Sequence, residues 1–241
     1  MSTLTPEYLR GACDTIPPTA EGVKSRLAEA ACYAVLGRVL PVLRHDVAGS
    51  MQPMRMLLLV LERRVQSSQP DLAAIATSVV SLSALTKQAA ADCMNALWWT
   101  DPMEDLHVSL RVGVDEAARL LAMELSETAL TLVNAIADDT QTALQSTFRT
   151  VVMGALLAFC DQRVAGSTLE VTFQAAASDS RHSGQLQMRM RPGNGGESPV
   201  SPAGTRQPRV IDWADVRAMA ESCSVNMAQG DGWLTLDLPQ G

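Results

Sequence analysis

Two long runs of apolar residues spaced by threes and fours flank the short stretch "SSQPD", Ser67 to Asp71, and they constrain the fold more than any other feature. In the first run, from about Lys24 to Arg64, the repeating positions are Leu36, Leu40, Leu43, Val47, Met51, Met54, Leu58, Leu61 and Val65. In the second they are Leu72, Ile75, Val79, Leu82, Leu85, Ala89, Cys93 and Leu97. Such spacing gathers apolar side chains on one stripe of an amphipathic helix. A capping serine and Pro70 in the connecting stretch suit a helix start, and a turn this short makes the two helices an antiparallel hairpin. Pro41 and Pro53 fall inside the first helix, so a kink is expected near each. A lone hairpin offers too little surface to bury both stripes. Pairing with a second copy as a four-helix bundle, a closed twofold homodimer, is therefore expected.

After "WWTDPMED", Trp98 to Asp105, the pattern changes. Val112 to Leu125 reads as a helix, Ala129 to Ile136 as a strand, and Thr142 to Gln162 as a second, largely buried helix. "STLEVTFQA" and "GQLQMRMR" alternate with the period of two of half-buried strands. Pro192 to Pro208, rich in Gly, Pro and Ser, reads as a mobile loop; the helix "DWADVRAMAESC" and the strands "SVNMAQ" and "GWLTLDL" follow. The expected class is α+β, with an N-terminal segment (1–23), the helical hairpin (24–104) and an α/β sandwich (105–241) whose helices cover one face of a mixed sheet. Trp98 and Trp99 are expected to pack the junction between the last two.

Composition narrows the function. The chain is 47% apolar with a formal charge of −7, which argues against a large phosphate-binding surface, and its basic residues do not cluster with aromatics, so nucleic acid is not expected as a partner. The five cysteines are scattered, with no CxxC pair, so neither a disulfide framework nor a zinc site is expected. No stretch reaches roughly 18 uninterrupted apolar residues, and no basic region precedes an apolar one at the N-terminus. A cytoplasmic protein without membrane contact is expected.

The chain has three histidines, and His45 is the one set in a chemical context. It lies two residues from both Leu43 and Val47. At about 100° per residue, that places it roughly 160–200° from their stripe, facing outward. Gly49 and Gln52 share its face. Glycine inside a helix costs roughly 1 kcal/mol relative to alanine, but it leaves the approach to the imidazole clear. Asp46 is expected to accept a hydrogen bond from one ring nitrogen, fixing the tautomer and leaving the other nucleophilic, which suits phosphoryl acceptance. His45 and Asp46 are thus the catalytic candidates, and Arg44, Gly49, Ser50, Gln52, Arg55 and Met56 the partner-docking ones. Met51 and Met54 are assigned to the core. His107 and His182 have no accompanying nucleophile or ligand set, and Asp138-Asp139 reads as a helix start rather than a metal pair.

"HDVAG", on the first helix of a hairpin, resembles the H-[DE] box of the dimerisation and histidine-phosphotransfer domain of bacterial sensor histidine kinases, in the variant with glycine four residues after the histidine. "VSLRVGVDEAARLLAMEL" resembles the segment that opens the kinases' ATP-binding domain, and the later order of elements is similar, so the resemblance runs from about residue 24 to the end. The departures matter. The helix matching "FRTVVMGALLAF" carries two asparagines in the kinases, and here those positions are Gly154 and Ala158, which offer no side-chain oxygen to magnesium. Where the family has its Asp-x-Gly-x-Gly box, this chain has "RPGNGG" without a carboxylate. A histidine hairpin joined to a degenerate ATPase-like domain is similar to the dimeric histidine phosphotransferases of bacterial phosphorelays. The resemblance implies that His45 carries a phosphoryl group between receiver-domain aspartates of response regulators. It also implies that this chain binds no ATP or other cofactor, with magnesium supplied by the receiver. The alternatives are a sensor-less ATP-dependent histidine kinase and a non-catalytic pseudo-kinase module that docks a response regulator. A phosphatase role needs an amide or hydroxyl four or five residues after the histidine, where only Ser50 qualifies.

Overall fold

The computed structural model describes residues 19–100, 106–137, 141–162, 166–175, 182–193 and 209–239. Helix α1 (Ala20–Val65) starts under Thr19, whose hydroxyl accepts the Gly22 N–H at 3.2 Å, and runs unbroken for 46 residues through Pro41 and Pro53. Each proline has a glycine four residues earlier, Gly37 and Gly49, where the ring meets the preceding turn's carbonyl. A glycine there presents no Cβ beside the proline ring, and the helix continues through both prolines. Helix α2 (Leu72–Thr100) is capped by Asp71 rather than by a serine: its carboxylate accepts the N–H groups of Ala73 and Ala74, both at 3.0 Å. Ser67 instead shapes the turn through Gln69. Arg64 donates to the Ala74 carbonyl and the Ser78 hydroxyl, closing the hairpin.

Strand β1 (His107–Ser109) pairs antiparallel with β3 (Thr142–Leu144). Helices α3 (Leu110–Leu120) and α4 (Ala122–Glu127) replace the single helix expected over Val112 to Leu125, because the backbone leaves helical geometry at Leu121. Strand β2 (Thr131–Asn134) follows. The second expected helix loses its first residues to β3, whose main chain is committed to β1. It then comprises α5 (Gln145–Thr147), a π-helical turn (Phe148–Val152) and α6 (Met153–Asp161). Strands β4 (Thr168–Ala175) and β5 (His182–Arg191) come next, and after them α7 (Trp213–Ser222), opened by a capping box between Asp212 and Asp215. Strands β6 (Asn226–Gly230) and β7 (Trp233–Pro239) end the described chain.

The larger sheet has the order β2-β4-β5-β7-β6, with β2 parallel to β4 and the other pairs antiparallel. Period-two alternation puts Leu169, Val171, Leu186, Met188, Leu234, Leu236 and Leu238 on its buried face, in one core with α3, α6 and α7. The fold class is α+β: a long helical hairpin followed by a mixed sheet covered by helices. The residues between Gly193 and Arg209, and Asp138-Asp139, lie outside the described part.

Helix α1 belongs to that core too. Ala31, Val35, Val39 and Leu43, a stripe slightly rotated from the expected one, are buried with α6 and α7. Arg38, its side chain only 6% exposed, donates to Glu124 and to Asp161, the latter at 2.6 Å, and Asp161 also accepts the Ile211 N–H. Burial alone would lower the guanidinium's pKa, but its two carboxylates outweigh it and raise the value. Trp99 is buried at the junction with the Arg149 guanidinium 5.0 Å over its ring, whereas Trp98 is 39% exposed. Burial pulls Arg149 down to about 10 against the opposing pull of Glu116.

Beyond Asp46, which still reaches Arg119 of α3, the distal half of α1 and the start of α2 carry exposed apolar side chains. Met51, Leu58, Val65, Leu72, Val79 and Leu97, expected in covered positions, face outward in the protomer, and Met54 is half-buried. One α/β domain covers only the first half of a 46-residue helix. Among the described residues α2 is long and apolar enough, by length and composition, to cross a membrane; in this fold it packs along α1.

Candidate functional site

Leu43 points into the core, and two residues later the helix carries His45 to the opposite side, where its side chain is 87% exposed. His45 forms one wall of an open cleft of about 520 Å³. The cleft lies where α1 (His45, Asp46, Gly49 and Ser50), α2 (Gln88, Asp92 and Asn95) and α3 (Arg119) meet.

The contact expected between His45 and Asp46 is not made. Nδ1 to Oδ1 is 3.8 Å, beyond a hydrogen bond, because consecutive helical side chains diverge by about 100°. Asp46 turns instead to Arg119, whose Nη1 stands 2.5 Å from Oδ2. Nδ1 is the ring nitrogen on the Asp46 side, which leaves Nε2 free. At Gly49 nothing lies within 4 Å of where a Cβ would stand, so the approach is open. Its carbonyl also lacks the usual helical donor, since Pro53 has no N–H. The Ser50 hydroxyl donates to the Val47 carbonyl at 3.0 Å. On the floor, Gln88 donates to Asp92 at 2.9 Å and Asn95 to Glu116 at 3.0 Å, the second contact tying α2 to α3.

The structure therefore brings His45, Asp46, Gly49 and Ser50 together. Arg44, Gln52, Arg55 and Met56 are exposed on α1 but do not line the cleft. Sequence reasoning missed Arg119, Gln88, Asp92 and Asn95. The polar face of the amphipathic "DEAARLL" offered the only signal for Arg119, and nothing local places it against a residue 73 positions away.

The positions that matched the kinase asparagines are closed. Gly154 and Ala158 are buried, and a Cβ on Gly154 would collide with the Met219 side-chain terminus and stand 3.7 Å from Val35 of α1. Helices α7 and α1 thus fill the space around Gly154. Of "RPGNGG", Arg191, Pro192 and Gly193 lie in the described chain. Among the described residues no three His, Cys, Asp or Glu side chains converge as a metal site. His107 begins β1 and His182 begins β5, away from the cleft.

No protein-family model and no curated protein matches the chain. It is similar in structure to the histidine kinase AdeS of Acinetobacter baumannii, with 15% identity over 78% of this chain and 96% of that one, at a TM-score of 0.37. A histidine kinase from Burkholderia phymatum is similar at 13% identity over 82% and 97%, TM-score 0.38. The histidine kinase ThkA, solved in complex with the response regulator protein TrrA, is similar at 10% identity over 87% and 63%, TM-score 0.37.

Proposed function

We propose that this chain is a cytoplasmic, homodimeric histidine phosphotransferase of a two-component phosphorelay, carrying a phosphoryl group on His45 between receiver-domain aspartates of response regulators without binding ATP. The observation that carries the reading is the contrast between two positions on the same α1 helix. His45 is presented to solvent over an open cleft, while Val35, ten residues earlier, packs against Gly154, where a kinase would need an asparagine.

In the transfer, the Nε2 lone pair of a neutral imidazole attacks the phosphorus of the receiver's acyl phosphate. The bond from phosphorus to the aspartate oxygen breaks, its electron pair leaves with the carboxylate, and the ring proton stays on Nδ1, facing Asp46. The receiver brings the magnesium that neutralises charge during this step, so the acceptor's task is alignment and an unobstructed path. An exposed ring with nothing at the Gly49 position supports that task.

The test is a transfer assay with phosphorylated receivers from the source genome and, in parallel, with ATP and magnesium alone. Label on His45 from a receiver and none from ATP is the expected result. Label from ATP would install the kinase reading, and docking of a receiver with no label would install the non-catalytic module.

A further inference from the structure

An incoming phosphoryl group carries negative charge, yet the cleft at His45 already holds two carboxylates, Asp46 beside the ring and Asp92 on α2. Left alone, they would repel the group being transferred. Among the described residues lining the cleft one carries a fixed positive charge, Arg119, and it comes from the α/β domain rather than from the hairpin. Its guanidinium is paired to Asp46 through Nη1, half of its side chain remains exposed, and the residue lines the cleft. The base of α3 is anchored: Asn134 donates to the Arg111 carbonyl at 2.9 Å and to Asp115 at 2.8 Å, and Leu120 is buried in the core.

We propose that Arg119 is the phosphoryl-anchoring cation of this site, so that the degenerate domain completes the phosphoacceptor across the domain junction. The proposal rests on His45 being that acceptor. Guanidinium is a planar fork with five N–H donors, so one edge keeps Asp46 while another engages the oxygens of a phosphoryl group on Nε2. A lysine ammonium supplies the charge but cannot span both partners in that way.

Phosphoramidate tests this on the full chain without any receiver, which separates anchoring from docking. His45 Nε2 attacks the phosphorus, the phosphorus–nitrogen bond of the zwitterionic donor breaks, and its electron pair leaves with the already protonated nitrogen as ammonia, the ring proton staying on Nδ1. ³¹P NMR then follows both the rate of phosphohistidine formation and the pH midpoint at which the attached phosphoryl group loses its last proton. With Arg119→Ala the rate should fall about tenfold, and the midpoint should rise by about one pH unit as the favourable cation is lost. Arg119→Lys should recover part of both, and Asp46→Asn, which keeps the arginine, should leave the midpoint low. Should Arg119→Ala fold poorly, the midpoint of Arg119→Gln against that of Arg119→Lys decides the same question. An unchanged rate and midpoint on a phosphorylated His45 would overturn the role of Arg119 and leave the acceptor standing. No phosphohistidine in the wild type would instead overturn the reading on which it rests.

Discussion

At the scale of single residues, His45 and Asp46 divide the work differently from their adjacency in sequence. The ring nitrogen and the carboxylate are too far apart to bond, so Asp46 acts on His45 through charge while it holds Arg119. His45→Ala or His45→Gln should abolish phosphoryl uptake from a receiver and leave the melting temperature unchanged, as a side chain this exposed contributes little packing. Asp46→Asn removes the negative charge beside Nδ1 and should slow uptake by about tenfold, equivalent to about 1.4 kcal/mol, a figure that stopped-flow transfer kinetics would check. Gly154 gives a stability test. Gly154→Asn puts a polar side chain against Met219 and Val35, and overpacking with an unpaired amide should cost about 2–4 kcal/mol in chemical denaturation. Calorimetry on that variant should still register no ATP.

Among elements, α1 serves two neighbours in succession. From Ala31 to Leu43 its inner stripe is sealed into the sheet domain, and Arg38 locks it there by two carboxylates from α4 and α6. Arg38→Met would leave Glu124 and Asp161 facing one another without their cation. Removing one member of a buried ionic cluster costs about 3–5 kcal/mol, so this variant should unfold at correspondingly lower urea. Alanine at Lys24, whose pair with Glu221 is exposed at both ends, should change stability by no more than about 0.5 kcal/mol in the same titration. The lock also opposes any swing of the α/β domain relative to the first half of α1. The π-helical turn at Phe148–Val152 has no counterpart in periodicity: it departs from the α-helical register where Arg149 stacks on Trp99.

For the whole molecule, the distal hairpin is the unfinished part. Met51, Leu58 and Val65 lie seven residues apart on α1, and Leu72 and Val79 do on α2; each of the five faces outward in the protomer. A heptad of exposed apolar residues is the pattern of a helical-bundle seam, and the proposed homodimer would cover it with the same surface of a second copy. Leu58 is 44% exposed within one protomer, so Leu58→Asp should cost the protomer little and the dimer much. Light scattering should report a dimer for the wild type and a monomer for Leu58→Asp, with circular dichroism unchanged at 222 nm, a wavelength set by helix content. A variant that remains dimeric would place the seam elsewhere.

Apolar spacing determined the hairpin, and strand alternation with polar breaks determined most of the sheet domain, because both signals are local: they depend on which residues share a face within a few turns. The outward phase of His45 belongs to the same class, being read from Leu43 and Val47 alone. Three features lay beyond it. Thr142 to Leu144 became a strand because β1 offered its main chain a partner. The stripe of α1 rotated toward Val35 and Val39 because α6 and α7 were there to receive it. Asp46 turned from the ring to Arg119 because α3 delivered a guanidinium across 73 residues of sequence. Each of these depends on what a distant segment brings into contact, and helical period or composition carries no record of that. What the chain is built from was therefore legible in its residues, while the partners its functional side chains take were decided by packing.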